Sequence, residues 1–198
     1  MGEEKKTKKA VVFLADGFEE VEAVAPIDFL RRAGVEVVVV SLNDNGVSTG
    51  AHRIPVVADV SLAGFAAQFA EGLGADEWDA ALLPGGMPGA SNLAASETVG
   101  AILKALAEKG ALIAAVCAAP VVVLHPLGLL TGRRFTCYPG LEKMVAGARW
   151  SEDDVVIDGD LITSRGAGTA GVWAVAIIGK LLGEDAADDI AASVLVRR

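Results

Sequence analysis

The chain has 198 residues, 53% of them apolar and only 5% aromatic, with a net charge of −9. That length suits one domain, and the acidic balance argues against a broad nucleic-acid or anionic-membrane surface. No apolar run reaches the roughly 18–20 residues needed to cross a bilayer. There is no C-x-x-C or H-E-x-x-H pattern to hold zinc, and two cysteines are too few for a disulfide scaffold.

The first residues, Met1 to Lys9, are charged and lack the apolar stretch of a signal peptide. Residues 1–8 are expected to be a flexible charged terminus ahead of a single domain over 9–198, in a cytoplasmic protein whose thiols are reduced. Lys9–Leu14 then reads as a strand, Glu19–Ala33 as a helix closed by Gly34, and Glu36–Leu42 as a second strand. Thr49–Asp59, with His52, Arg53 and Pro55, reads as a hairpin or irregular arm. Leu62–Glu71 is a weaker helix, Trp78–Leu83 a strand, Ser96–Lys109 a helix with Ser96 as N-cap, and Ala111–Val116 a strand. A β-rich patch follows at Arg134–Cys137 and Val155–Thr163, with Asp158-Gly159 as its turn, and helices at Val172–Leu182 and Asp185–Val194 complete the chain. The strand runs are continuously apolar, as in strands buried on both faces of a parallel sheet. Strand alternating with helix predicts an α/β sandwich with a mostly parallel central sheet and helices on both faces.

In such a sheet, ligands bind at the carboxyl ends of the strands. Three of those ends carry unusual chemistry: Ala15–Glu22 after the first strand, Pro84–Gly89 after the third, and Cys117 after the fourth. Cys117 sits where a strand should turn into a helix, flanked by the small residues Ala115 and Ala119, as a nucleophile elbow requires. A helix N-terminus there would lower the thiol pKa. Its local sequence is equally compatible with a buried cysteine acting as a small hydrophobe. The Gly86 and Ala118 amides are candidate oxyanion donors. Glu19, Glu20 and Glu22 all lie in the first turn of the first helix, where acidic residues are favoured in any case. A carboxyl beside the thiol would have its pKa raised and could work as a general acid and base. His125, eight residues after Cys117, would stand roughly 12 Å away along a helix, and His52 belongs to the arm. Neither is expected to serve as the base.

Taken together, Ala15-Asp-Gly-Phe-Glu-Glu-Val-Glu22, Pro26–Gly34, Leu83-Pro-Gly-Gly-Met-Pro-Gly-Ala90, Ala114-Ala-Val-Cys-Ala-Ala-Pro120 and Thr163-Ser-Arg-Gly-Ala-Gly-Thr169 make the chain resemble the DJ-1/PfpI superfamily from about Lys9 to Val196. It is most similar to the branch that includes YajL and the ThiJ-labelled proteins. The resemblance implies a flavodoxin-like fold, a homodimer, Cys117 as the reactive cysteine, Glu22 as the carboxyl beside it, and Gly86 as the glycine amide facing it. Tyr138 stands where many relatives carry histidine, and a phenol is a poor base at neutral pH.

The activity implied is a cofactor-free and metal-free conversion of methylglyoxal, glyoxal or early glycation adducts, with a role in carbonyl and oxidative stress protection. The competing readings are a redox-sensing stress protein or chaperone, whose cysteine is oxidised to sulfinate, and a dimeric scaffold whose cysteine is incidental. The expected partners are a small 2-oxoaldehyde or glycated substrate and a second copy of the chain, with no nucleic acid and no membrane.

Overall fold

A computed structural model describes residues 6–70, 74–147 and 149–197. Of the expected flexible terminus, residues 1–5 lie outside the described residues, and Lys8 is tied to Asp79 by an ion pair of 2.6 Å. The strands are β1 Lys9–Leu14, β2 Glu36–Ser41, β3 Val47–Thr49, β4 Pro55–Val57, β5 Val60–Ser61, β6 Ala80–Leu83, β7 Leu112–Val116, β8 Arg134–Phe135, β9 Arg149–Trp150, β10 Val155–Asp158 and β11 Leu161–Ser164. The helices are α1 Glu20–Arg32, α2 Leu62–Ala70, α3 Gly89–Ala95, α4 Glu97–Glu108, α5 Ala170–Leu182 and α6 Glu184–Ser193. The weaker helix read over Leu62–Glu71 is α2; its last position, Glu71, lies outside the described residues.

Seven strands form one sheet in the order β10-β11-β7-β6-β1-β2-β5, parallel throughout except for the β10–β11 hairpin. Side chains alternate across it. Val11, Phe13, Ala81, Leu83, Ile113 and Ala115 face one core, with α4 contributing Val99, Ile102, Leu103 and Leu106. Ala10, Val12, Leu14, Leu82, Leu112 and Ala114 face the other, against Ala23, Ile27 and Leu30 of α1 and Trp173, Ile177 and Ile178 of α5. Both faces of the central strands are therefore covered, which is why their sequences lack a polar alternation.

Three sequence expectations are refined. The arm at Thr49–Asp59 is part of a short antiparallel pair, β3 with β4, apart from the main sheet. The patch at Arg134–Cys137 also leaves the sheet: β8 pairs with β9, whereas β10 and β11 join the sheet beside β7. The helix expected directly after Cys117 is reduced to one wide turn, Pro120–Leu124, of π type. Ser96 caps α4 as read, its hydroxyl accepting from the Val99 amide at 3.3 Å.

Register places the functional edge. Leu83 pairs with Ala115 and Ser164 pairs with Val116, so β6, β7 and β11 end at one level. The Cys117 amide donates to the Ser164 carbonyl at 3.0 Å, and the Tyr138 amide donates to the Cys117 carbonyl at 2.9 Å. Ser164 is itself fixed: its hydroxyl donates to the Asp154 carbonyl at 2.7 Å and lies 2.7 Å from the Thr169 hydroxyl. Ser164→Ala removes these bonds inside a dry interior and should cost about 1–3 kcal/mol of stability. Urea unfolding with an unchanged slope is the measurement; an unchanged midpoint would show that the hydroxyl bonds contribute nothing.

Candidate functional site

Cys117 occupies the left-handed region, φ 62°, a conformation that costs a non-glycine residue free energy and is maintained here by the two backbone bonds on either side of it. The side chain is half-buried and touches both cores at the point where the sheet stops. Its sulfur faces the backbone amides of Gly86 and Ala118, and the Glu22 carboxyl is within hydrogen-bonding reach. The structure thus brings Cys117, Glu22, Gly86 and Ala118 into one cluster.

The three acidic residues of the first turn separate cleanly. Glu22 is 1% exposed and points across the sheet edge, accepting from the Gly85 amide at 2.8 Å. Glu20 points the other way, into the arm. It accepts from the His52 amide at 2.7 Å and meets the His52 ring at 2.9 Å. These bonds hold Glu20 below the usual carboxylate range although burial opposes ionisation, and the same contact raises the His52 pKa. Glu19 lies at the start of α1, its carboxylate 3.4 Å from the His52 ring. The ligand atoms of Glu19, Glu20 and His52 lie within 4.8 Å of one another. Among the described residues this is the cluster that could hold a cation, but the hydrogen bonds already made to Glu20 suit a latch that holds the arm. His52, read as part of the arm, is half of that latch.

Gly85 and Gly86 are required by space. A Cβ on Gly85 would lie 2.7 Å from Cys117 Cβ and 2.9 Å from Glu22 Oε2. One on Gly86, where φ is 83°, would overlap the backbone of Phe18 and Glu19. Sequence reading fastened on Gly86 and gave Gly85 no separate role, though its amide is the donor that orients Glu22. Ser164 was missed as well. Its signal is the Thr163–Thr169 segment, quoted above for resemblance alone.

Burial, and then the neighbouring Glu22 carboxylate, push the Cys117 thiol up to about 12, against the opposing pull of the Gly86 and Ala118 amides. Burial likewise raises Glu22 to about 7. The expectation of a thiol acidified by a helix N-terminus is corrected here. One wide turn supplies little dipole, and the carboxylate opposes a second negative charge. What the pair can do is share one proton. With Glu22 as the carboxylic acid, sulfur is the anion; with sulfur protonated, Glu22 is the anion.

Tyr138 is 54% exposed at the rim. A Cβ on Gly166 would lie 3.7 Å from its ring and 3.8 Å from Glu22 Oε1, so the phenol and the carboxyl flank Gly166. His125 closes the turn after Cys117, its amide donating to the Pro120 carbonyl at 3.1 Å. Cys137 is fully buried, its Sγ 3.5 Å from the Tyr138 carbonyl, and burial pushes its thiol up to about 11.

Cys117 should therefore alkylate with iodoacetamide far faster than Cys137 near neutral pH. Its rate should follow loss of the pair's first proton, rising through about pH 7 and then levelling. In Glu22→Gln only the desolvated thiol remains to titrate, and the inflection should move upward, past the ordinary thiol value. Peptide mapping across pH 5–10 checks both, and equal labelling of the two cysteines would remove the basis for the site.

A sequence model of the DJ-1/PfpI family matches residues 8–180. The protein dj-1beta of Drosophila melanogaster is 38% identical over 192 residues, 96% of this chain and 98% of that one. A protein of Pyrococcus abyssi named a deglycase is 34% identical over 167 residues, covering 83% and 94%. Oxidized DJ-1 of Toxoplasma gondii superposes with a TM-score of 0.89 at 36% identity, covering 97% of this chain and 100% of that one. The central parallel sheet flanked by helices is shared with it, and the chain belongs to the DJ-1/PfpI family.

Proposed function

We propose that the protein is a cofactor-independent enzyme of the glyoxalase III or deglycase type, acting through Cys117 on methylglyoxal, glyoxal or early glycation adducts. The observation that carries this reading is the Glu22 carboxyl, raised to about 7 and within hydrogen-bonding reach of a sulfur that faces two backbone amides. A carboxyl that titrates near the working pH is suited to taking and returning a proton. The deglycase name of the Pyrococcus abyssi relative agrees with it.

The scheme balances without a cofactor. The Cys117 thiolate adds to the aldehyde carbon, and the oxyanion is held by the Gly86 and Ala118 amides before it gains a proton, leaving a hemithioacetal. Glu22, now the carboxylate, removes the remaining hydrogen from that carbon as a proton. The electron pair passes into an enediolate, Glu22 returns the proton to the neighbouring carbon, and the hydroxyl proton passes from the first oxygen to the second. The former aldehyde carbon is thereby oxidised to a thioester and the former ketone carbon reduced to an alcohol. Water then cleaves the carbon–sulfur bond, giving the 2-hydroxy acid and the free thiol. Tyr138 takes no proton in this sequence.

The second reading, a redox-responsive stress protein, is favoured by the likeness to an oxidized DJ-1. Sulfinate oxygens at Cys117 would meet the same two amides and a protonated Glu22. The two readings part on turnover: an enzyme consumes many equivalents of 2-oxoaldehyde, and a sensor consumes one oxidant and stops.

We further propose that the molecule is a homodimer, with α1 and the arm as its surface. Val21 and Val24 on α1 and Ile54 and Val57 on the arm are each about half or more exposed, and Ile54 adjoins the start of α1 through Glu20. Val21→Glu combined with Ile54→Glu should give a monomer in sedimentation velocity; a native protein already sedimenting as a monomer overturns the assignment.

For the enzyme, Glu22→Gln should lower metal-free methylglyoxal turnover by roughly 10²-fold or more, the usual range for general acid–base catalysis. Tyr138→Phe should keep most of it. Near-native turnover in a folded Glu22→Gln protein would leave the scheme without a base and transfer the case to the redox reading. A loss in Tyr138→Phe as large as that in Cys117→Ala would make the phenol a participant.

A further inference from the structure

Next to Cys117 the carboxyl edge opens into a cavity of about 480 Å³, walled mainly by Met87, Ala118, Val121, Val122, Leu141 and Met144. Its position follows from the chain itself. Ala118, whose amide faces the sulfur, is one of its walls, and Met87, another, directly follows Gly86. Its chemistry contrasts with the smaller cleft of about 320 Å³ at the other end of the sheet, where Lys8, Asp76, Asp79, Lys109 and Lys180 supply charged walls. Ser91 and His125 are the polar side chains of the cavity, and the Ser91 hydroxyl is turned to Met87 Sδ at 3.7 Å.

Two methionines stand open to solvent at this lining, Met87 at 56% and Met144 at 64%. Flexible thioethers exposed around an apolar hollow adapt to apolar ligands of varied shape. The hollow is also of the size that holds a ligand well beyond a three-carbon aldehyde, since pockets of roughly 300–1,000 Å³ accommodate drug-sized molecules. Glu22 and Tyr138 do not line this cavity, while the Glu22 carboxyl is within hydrogen-bonding reach of the sulfur. A carbonyl compound joined to the sulfur is then within reach of Glu22, and its substituent can enter beside Ala118.

We propose that this cavity is the subsite for an apolar substituent of the carbonyl compound that reacts at Cys117, so that the preferred substrates are 2-oxoaldehydes bearing an alkyl or aryl group larger than methyl. The substrate class rests on the enzymatic reading above; the subsite itself rests only on the cavity and the position of the thiol.

The test separates the two. Iodoacetamide and N-hexyl iodoacetamide modify a thiolate by the same displacement: a carbon–sulfur bond forms, iodide leaves, and the thiol proton passes to Glu22 or to buffer. At low reagent concentration the hexyl reagent should modify Cys117 about 10-fold faster or more, given that one methylene in an apolar pocket is worth roughly 10- to 200-fold at best. Val122→Phe, which narrows the cavity, and Met144→Glu, which places a charge at an exposed position of its wall, should each abolish that preference and leave the iodoacetamide rate within about twofold. In turnover, pentylglyoxal should exceed methylglyoxal in kcat/KM in the native protein, and both variants should lose the pentylglyoxal advantage alone. Equal rates for the two reagents, or a hexyl preference untouched by both variants, overturns the subsite. A hexyl preference lost in both variants, with no turnover of any 2-oxoaldehyde, upholds the subsite and overturns the enzymatic reading instead.

Discussion

A carboxyl and a thiol that share a dry site cannot both be charged, and the rest of the molecule is arranged around that constraint. Glu22 is 1% exposed, and Cys117 sits against the ends of both cores. Desolvation alone would neutralise both groups and leave an inert pair. Three backbone donors offset part of this: the Gly85 amide on Glu22, and the Gly86 and Ala118 amides on the sulfur. They support one negative charge, which rests on Glu22 and reaches the sulfur when the thiol proton passes to the carboxylate. The charge state of the thiol is therefore a property of the pair.

Holding three donors on two side chains demands a close approach of backbone that only particular residues allow. Gly85 has no room for a methyl group between Cys117 and Glu22, and Gly86 has none against Phe18 and Glu19. Cys117 pays with an unfavourable φ for pointing its sulfur out of the turn. The cost is met by the parallel register, which ends β6, β7 and β11 together and delivers the Ser164 carbonyl to the Cys117 amide. Asp16, the first carboxylate after β1, helps hold the edge: its side chain accepts from the Thr49 amide at 2.8 Å and from Asn43 at 3.0 Å.

The sheet was legible because strands buried on both faces, such as Ala10–Leu14 and Leu112–Val116, need uninterrupted apolar residues, and helices end at visible glycines. The thiol was legible because small neighbours mark a tight elbow. The choice of Glu22 over Glu19 and Glu20 rested on the family resemblance alone, since all three fit a first helical turn. Only tertiary partners divide them, Gly85 drawing Glu22 inward and His52 drawing Glu20 to the arm. The wide turn at Pro120–Leu124 was read as a helix because its valines and leucine fit either geometry. Ser164 contributes a backbone carbonyl, and only its place in the Thr163–Thr169 segment marks it in the sequence.

The same proton-sharing pair would suit addition to an aldehyde and reaction with peroxide alike, so the pair alone does not choose between an enzyme and a sensor. The surroundings favour carbon chemistry. A peroxide brings only oxygen atoms, and amides with a carboxylic acid satisfy them completely; an apolar hollow beside the sulfur adds nothing to their binding. An aldehyde brings a carbon substituent that must lie somewhere, and burying it next to Ala118 and Val122 gains free energy in proportion to its area. That gain is useful for turnover if it orients the carbonyl oxygen toward Gly86 and Ala118 and the carbon-bound hydrogen toward Glu22, converting binding of a remote group into alignment at the reacting carbon. The exposed methionines at the cavity are a cost to a protein whose cysteine only senses oxidant, because they place apolar surface in water with no occupant. They are consistent with a site that receives apolar molecules.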